Sequence, residues 1–337
     1  MEVTKLPIKK SFLTDISRTW GNPRWRVLMN SIDFESLIIT IFVLVNDWYQ
    51  TEGKAWKSLS PGAKPEMSDS EIITLALVMD YLPFPGETQF IGFVRANYGQ
   101  WFPNLLSQSQ FNRRLRKLGQ MLEMLRRKWV QQLGAVNANS FVIDTKPIPV
   151  MGYRRSKRHS DFHGSAGYGY CAARKMKYFG YKLVMLSTLR GVPVAYELVS
   201  ANTDERKSVE GILETVRNCD IYGDKGFIGQ DWQQQISCST GNRIWTIHRQ
   251  NQHHQNSSSL RRLISRVRQR IEGVFHEIQN TGRNPERLLN KTVQGLATHM
   301  AAKIASHTLR LLLRDCEASR RHRFSMNVLT FKFINPS

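Results

Sequence analysis

The amino-acid sequence predicts an α/β domain with a mixed sheet flanked by helices, preceded by an all-α N-terminal region. Apolar side chains recur at helical spacing through residues 1–138, and short β-rich runs begin at about residue 139. A long amphipathic helix follows the strands, over Leu260–Ile278. Strands first, and then alternating helices and strands, are typical of a mixed α/β domain. We therefore divide the chain into a helical region at 1–138, an α/β region at 139–316 and a basic tail of unknown role at 317–337.

The composition limits the classes of protein to which this chain can belong. Its 337 residues are enough for two domains, and 41% of them are apolar, which supports real hydrophobic cores. Lysine and arginine number 48 against 27 acidic residues, for a net charge of +21. Such an excess indicates a polyanionic partner: DNA, RNA or an acidic membrane surface. A membrane surface fits worst, because the basic residues do not lie opposite an exposed apolar face.

Three further features predict the cellular location. The four cysteines form no C-x-x-C pair and have no metal-finger spacing, so we expect reduced thiols in a cytoplasmic protein. The longest nearly unbroken apolar run, Leu37–Val45, is far shorter than the ~20 residues that a membrane span needs, and it predicts a buried core helix. Lys5 and Lys9 are followed by no apolar stretch, so no signal peptide is expected.

The helical region contains two well-marked helices. Ser68 and Glu71 fit a capping box, apolar residues follow at helical spacing, and Pro83 ends the helix. A longer helix is predicted from Ser109 to Leu133. Its other face is basic and carries Arg113, Arg114, Arg116, Lys117, Arg126, Arg127 and Lys128. The region is either a helix-turn-helix-like DNA reader or a plain helical bundle with a solvated basic face, and the sequence leaves both open.

The α/β region is predicted from five β-rich runs, at 140–144, 178–189, 192–199, 220–224 and 243–247. The second and third runs flank Arg190-Gly191, which predicts a turn between two paired strands. The first and fourth runs each end in a carboxylate.

Three carboxylates are the candidate catalytic residues. Asp144 and Asp224 end short apolar strands, at the kind of position where open α/β folds place their sites. Glu272 lies at the margin of the buried face of the amphipathic helix, where it can face the sheet. Three converging carboxylates repel one another unless a cation lies between them. Carboxylate oxygens suit Mg²⁺ or Mn²⁺, and two such ions would activate a water or hydroxyl and stabilise the leaving oxygen of a phosphodiester.

Several blocks of the sequence, taken in order, resemble the transposases of bacterial insertion sequences. The blocks around the acids are Phe141–Val150, Ile221–Phe227 and Arg268–Phe275, and Gly169–Ala172 and Tyr178–Leu183 are similar to the block between the first two. The chain most resembles insertion-sequence family 982, whose members are DDE transposases with an RNase H-like core. Parts of the helical region also fit that family, and the resemblance extends to about residue 314.

The resemblance implies a reaction and a role for each acid. Asp144, Asp224 and Glu272 would bind the catalytic ions, which would be two Mg²⁺ or Mn²⁺. Water-driven cleavage at the transposon ends would free a 3′-hydroxyl, which would then attack target DNA. The partner would be double-stranded DNA, both the terminal repeats of the element and the target. The two ends would be paired by a dimer or larger assembly, acting at the nucleoid.

The last predicted helix matches part of a pattern that related transposases carry, with Tyr, Arg, Glu and Lys on one face. Arg268 and Glu272 match the pattern, whereas Ser265 stands at the tyrosine position and Gln279 at the lysine position. Arg261 falls on the same face and could replace a missing phosphate contact.

Basic side chains near the acids are the candidate DNA contacts. Between residues 151 and 190 the chain has nine lysines and arginines and a single acid, Asp161. Such a run predicts phosphate contacts and salt-sensitive DNA affinity, although a solvated loop can have the same composition. The candidate DNA-binding residues are Lys146, Arg154, Arg155, Lys157, Arg158, Lys182, Lys225, Arg261, Arg268, Arg113 and Arg114.

Two other functions remain open on the sequence. One is a nuclease of the same core fold that cuts DNA or RNA without joining it, and a strand-transfer product would exclude this interpretation. The other is a decayed or domesticated transposase that only binds DNA. The presence of all three acids counts against it, because a DNA-binding protein has no need of three converging carboxylates.

Overall fold

The computed structural model describes residues 33–56, 65–155, 157–247, 256–286 and 290–333. The side chains of Ala173 and of residues 317–333 are outside that description. The first part of the predicted helical region, residues 1–32, and the side chains of the basic tail therefore lie outside the described residues.

The N-terminal part of the structure is helical from residue 34, as predicted. The run Leu37–Val45 lies in the first helix and buries Leu37, Ile38, Ile41 and Val45. Both hydrogen bonds of the capping box between Ser68 and Glu71 are present at the start of the second helix. No helix in the described parts of the chain is long and apolar enough to cross a membrane. The helices are α1 (Phe34–Thr51), α2 (Asp69–Val78), α3 (Glu87–Tyr98), α4 (Gln108–Lys117) and α5 (Gly119–Gln132).

The single long helix predicted from Ser109 to Leu133 is wrong, because the chain forms two helices there. Leu118 leaves helical geometry, with φ −95° and ψ 4°, and its N–H binds the carbonyl of Leu115 instead of continuing the helix. The next residue is Gly119, where an added Cβ would lie only 3.2 Å from Thr298 Oγ1. Apolar spacing continues across this break, so periodicity alone does not reveal it.

Six strands form one mixed sheet. They are β1 (Ser140–Met151), β2 (Gly167–Cys171), β3 (Met176–Thr188), β4 (Pro193–Ser200), β5 (Asp220–Gly223) and β6 (Arg243–Thr246). Their order in the sheet is β2-β3-β1-β5-β6, with β4 also paired to β3. The pairs β1–β3, β2–β3 and β3–β4 are antiparallel, whereas β1–β5 and β5–β6 are parallel.

Strand β1 does not end at Asp144, as the sequence predicted, but continues to Met151. It pairs with β3 along almost its whole length, whereas β5 pairs only with Ser140–Val142. Beyond Asp144 the strand therefore has a neighbour on one side only. That half-open position tolerates Pro147 and Pro149, which lack the N–H that a central strand would need.

Helices cover both faces of the sheet. On one face, α8 (Ser258–Asn280) buries Ile271, Val274, Phe275 and Ile278 against side chains of β1 and β3. On the other face, α6 (Glu210–Leu213) and α7 (Gln230–Thr240) contribute to a second cluster, whose members include Phe141 and Ile221 of the sheet. The predicted fold class, an α/β domain with a mixed sheet and an all-α N-terminal region, is confirmed.

The last helix, α9 (Val293–Phe333), contributes to both main hydrophobic cores. Leu296, Met300 and Ile304 pack with α8 and the sheet. Other residues of the same helix, Ala301 to Leu309, complete the core of the N-terminal helices. All the strands of the described residues come after residue 139, and the core of the N-terminal helices includes residues of α9, near the far end of the chain.

Candidate active site

Asp144 and Asp224 follow the last paired residues of two neighbouring parallel strands. Val142 of β1 pairs with Tyr222 of β5, and each carboxylate comes two residues later, Asp144 within β1 and Asp224 directly after the end of β5. Val142 and Ile148 pack against α8. Side chains an even number of residues apart on a strand share one face, and Asp144 is separated by even numbers of residues from both, so it also faces α8. The parallel register therefore places both acids at one end of β5, beneath α8.

Asp144 is the most enclosed of the three predicted catalytic acids. Its pKa is raised to about 6, mainly by burial and in smaller part by the charges of Asp224 and Glu272, against the lowering effects of the Thr145 N–H and of Arg268. That N–H donates to Oδ1 at 2.7 Å. The raised pKa shows that a negative charge on Asp144 is costly without a cation nearby.

Asp224 follows β5 directly, as predicted from the sequence. The chain turns there into a short 3₁₀ helix, Lys225–Phe227, and Asp224 caps it by accepting the N–H of Lys225 at 2.6 Å. Oδ1 is the oxygen that accepts this hydrogen bond. The backbone of the turn thus fixes the orientation of the carboxylate at the end of the strand.

Arg268 of α8 links the second and third acids. Its Nη1 lies 3.1 Å from Oδ1 of Asp224, and its Nη2 lies 3.6 Å from Oε1 of Glu272, one turn later on the same helix. The guanidinium is mostly buried, and its Nε has no hydrogen-bond partner among the described residues. Arg268 therefore provides the positive charge between two carboxylates that would otherwise repel each other.

The three carboxylates fit a hard divalent cation by their chemistry. All their ligand atoms are oxygens, which Mg²⁺ and Mn²⁺ prefer. The pKa of Asp144 is raised mainly by burial and to a smaller extent by the charges of Asp224 and Glu272, and a bound cation would offset both effects. Within the described parts of the chain, no group of three His, Cys, Asp or Glu side chains already has the spacing of a metal site. Arg268 would have to move for Asp224 and Glu272 to share an ion.

The candidate DNA-binding residues differ in how free their side chains are. Six have exposed side chains: Arg113, Arg154, Arg155, Arg158, Lys225 and Arg261. Arg268 instead contacts two of the candidate catalytic acids. The remaining four are engaged by other protein groups.

These four side chains have little freedom to meet a phosphate. Lys146 is buried and binds Glu286 at 3.1 Å and Gln279 at 2.8 Å. Lys182 donates to the carbonyl of Thr203 at 2.7 Å. Arg114 forms an ion pair with Asp69, and Lys157 lies under a group of aromatic rings. Charge in a sequence does not reveal such partners, because they lie far away in the chain or belong to the backbone.

Arg126 also departs from its predicted place on the exposed basic face of the helical region. It is only 1% exposed, and it binds Glu123 and the backbone carbonyls of Pro193 and Val194. The residue therefore attaches α5 to β4 and is not part of a surface for DNA.

Sequence reasoning missed Glu286, which binds Lys146 two residues beyond Asp144. Burial raises the pKa of this carboxyl, but hydrogen bonds from Arg174 and Lys146 outweigh that effect and lower it below its usual value. Glu286 thereby holds Lys146 in place beneath α8. No sequence motif identifies Glu286, because its partners Lys146 of β1 and Arg174 of the turn before β3 lie far from it in the chain.

Residues 134–284 match the family model described as Transposase DDE domain. The matched segment contains β1 to β6 and α8, and with them Asp144, Asp224 and Glu272. The match supports a DDE transposase, and α1–α5 and α9 lie outside it. No curated protein matches the chain significantly.

Proposed function

We propose that this chain is a transposase that cleaves DNA at the ends of an insertion sequence and joins the freed ends to target DNA. One observation carries the proposal. Asp144 and Asp224 each follow by two residues the last paired residues of two parallel strands, and Arg268 links Asp224 to Glu272, all within the segment that matches a transposase DDE domain. Membership of insertion-sequence family 982 is part of the proposal and rests on the sequence blocks around these acids.

The proposed cofactor is Mg²⁺ or Mn²⁺, two ions held by Asp144, Asp224 and Glu272. When bound, the ions would activate the attacking water or hydroxyl and stabilise the leaving oxygen of the phosphodiester. The protein contributes preorganised ligands. Backbone N–H groups of Thr145 and Lys225 orient the two aspartates, so the change needed for Asp224 and Glu272 to share a cation is the withdrawal of Arg268 from between them.

Arg268 has a second part in this proposal. It lies between Asp224 and Glu272, within reach of any phosphate that these acids would help to bind. A guanidinium presents a fork of N–H donors that matches phosphate oxygens in geometry. We expect Arg268 to exchange its carboxylate contacts for a phosphate of the bound DNA.

The proposed partner is double-stranded DNA, as both element ends and target. The net charge of +21 and the exposed arginines near the sheet, Arg154, Arg155 and Arg158, support it. Pairing of two ends at the nucleoid by a dimer or larger assembly belongs to the same proposal and comes from the sequence resemblance alone.

A cleavage and joining assay tests the proposal. The substrate is a supercoiled plasmid that carries the DNA flanking this gene on both sides. It is incubated with the full chain in Mg²⁺, in Mn²⁺ or in EDTA. We expect metal-dependent nicks at the element ends, together with joined products. The matched variants are Glu272→Gln, which should abolish both, and Asp231→Asn on the exposed surface of α7, which should change neither.

Each other outcome has a definite meaning. Nicking without joined products would indicate that the chain is a nuclease of the same fold and not a transposase. Salt-sensitive DNA binding without cleavage in any metal would leave a DNA-binding relic. Cleavage that survives Glu272→Gln would contradict the assignment of the site.

A further inference from the structure

Three tyrosines near the second strand have exposed rings. Tyr153, Tyr168 and Tyr170 expose 43%, 55% and 61% of their surface, and we call them the tyrosine patch. Tyr168 and Tyr170 alternate with glycine and cysteine on β2, so both rings lie on one face of that strand. Tyr153 comes from the loop after β1, and its ring contacts that of Tyr168, with 5.4 Å between centroids.

The tyrosine patch lies on the same face of the sheet as the catalytic acids. Tyr168 pairs with Phe179 and Tyr170 with Lys177. Phe179 belongs to the cluster beneath α8, toward which Asp144 also points. Phe179 pairs with Met151 of β1, and Met151 comes seven residues after Asp144. Seven residues of strand span roughly 23 Å, and this is the separation between the tyrosine patch and the catalytic acids.

A buried lysine holds the patch in place from below. Lys157 is 9% exposed, and its Nζ lies 5.5 Å from the ring centre of Tyr168 and 5.9 Å from that of Tyr153. The same ammonium donates to the backbone carbonyls of Gly152, Tyr153 and Arg155. The loop that carries Tyr153 is therefore fixed against β2, and the rings of Tyr153 and Tyr168 are ordered before any partner arrives.

The surroundings of the patch are strongly positive. The acids near it are engaged, since Asp161 accepts the N–H of Val293 and Glu286 binds Lys146 and Arg174. Exposed cations from the adjoining loop and strands are Arg154, Arg155, Arg158, Lys175 and Lys177. Ordered aromatic rings within a positive surface are the combination that binds single-stranded nucleic acid, because bases stack on the rings and phosphates meet the cations.

We propose that the tyrosine patch binds unpaired bases of a DNA strand, with Tyr168 and Tyr170 as the stacking rings. This inference rests on the proposed function only for the identity of the partner as DNA. Inside a duplex both faces of every base are stacked on neighbouring bases, so the patch would act where the two strands are separated. The patch and Asp144 lie on the same face of the sheet, roughly 23 Å of strand apart, and a DNA strand that contacts both would pass beside α8, which covers the sheet between them.

The test is a binding measurement in EDTA, so that no cleavage occurs. The probes are a short single strand with 2-aminopurine at one position, and a blunt duplex of the same sequence. In the wild-type complex, stacking on a tyrosine should quench the fluorescence of 2-aminopurine. Tyr168→Ala and Tyr170→Ala should each weaken binding of the single strand about tenfold and relieve that quenching. The affinity of each variant for the duplex should stay within about twofold of the wild-type value. Tyr168→Phe keeps the ring and should behave as the wild type.

A matched control removes an exposed aromatic ring elsewhere. Trp56 is 67% exposed and lies outside the α/β region, so Trp56→Ala should leave binding of both probes unchanged. Thermal unfolding of each variant checks that it is folded, and if one alanine variant is not, the other alanine variant carries the test.

Three results would overturn the inference. They are unchanged single-strand affinity in both alanine variants, an equal loss for single strand and duplex, or a change in oligomeric state without a change in DNA affinity. The last would make the patch a contact between copies of the chain. Because the measurement needs no metal, a failure of the cleavage assay leaves it unaffected, and the two proposals fail separately.

Discussion

At the scale of single residues, the three acids are held in different ways. Asp144 is enclosed by the sheet and α8, and burial raises its pKa to about 6. Asp224 lies at a strand end and caps a turn, and Glu272 lies on the exposed side of α8. Arg268 connects the last two, so its charge influences how strongly they bind any other cation.

Replacement of Arg268 by glutamine should therefore have two opposite effects. The affinity for Mn²⁺ should rise severalfold, because a competing positive charge is removed from between Asp224 and Glu272. The rate of DNA nicking should fall, because the variant lacks a donor to the phosphate. Calorimetric titration measures the first effect and a plasmid assay the second. Arg266→Gln, an exposed arginine of the same helix, is the control, and a drop in Mn²⁺ affinity in Arg268→Gln would contradict this account.

The positions of the candidate catalytic acids can be predicted from the sequence, but whether a given basic side chain is exposed or buried cannot. Short apolar runs lead up to Asp144 and Asp224 and are local features of two neighbouring strands, although only the run before Asp224 coincides with the end of its strand. Lys146 is as basic in the sequence as Arg154, yet it is buried against Glu286, which lies 140 positions later. Burial of that kind depends on tertiary contacts that no local pattern encodes.

At the scale of elements, local signals predicted some boundaries and missed others. The capping box at Ser68 is a property of four consecutive residues and is formed as predicted. The break at Leu118 depends on α9 packing against Gly119, and the length of β1 depends on pairing with β3. Both are set by distant parts of the chain, so apolar spacing and proline positions could not predict them.

The loop after β1 should account for part of the salt dependence of DNA binding. Removal of one cation that binds a phosphate should reduce the slope of log K against log salt concentration by about 0.9. Arg154→Gln and Arg155→Gln should each show that decrease in fluorescence-anisotropy titrations of duplex DNA. Arg217→Gln, an exposed arginine on the chain before β5, should keep the wild-type slope. Unchanged slopes in both loop variants would remove this loop from the DNA surface.

At the scale of the whole molecule, α9 joins the helical region to the sheet. Lys303 of this helix is fully enclosed, lies 3.4 Å from Asp80 after α2, and donates to the carbonyl of Thr281 after α8. Ser306 binds the carbonyl of Leu77, and His307 donates through Nε2 to the carbonyl of Gly191. These contacts link three distant segments, and they explain why the division at residue 139 is not a division between independent cores.

Loss of the buried partner of Lys303 should strongly destabilise the protein. Burial lowers the pKa of Lys303 to about 8, while Asp80 opposes that effect. Asp80→Asn leaves the ammonium of Lys303 without its carboxylate partner. The free energy of unfolding, measured by urea denaturation, should therefore decrease by about 3–5 kcal/mol. The double variant Asp80→Asn with Lys303→Met should recover much of that stability. A decrease below about 1 kcal/mol in the single variant would show that the pair does not couple the two regions.

The measurement that tests the central claim most directly is Mn²⁺ binding followed by electron paramagnetic resonance. The account predicts that the wild-type chain binds Mn²⁺ and that Asp144→Asn and Asp224→Asn each lose most of that binding, because both acids contribute to one site. Asp231→Asn should bind Mn²⁺ like the wild type. Folded Asp144→Asn protein that binds Mn²⁺ as tightly as the wild type would contradict the claim that these carboxylates form a metal-dependent catalytic centre.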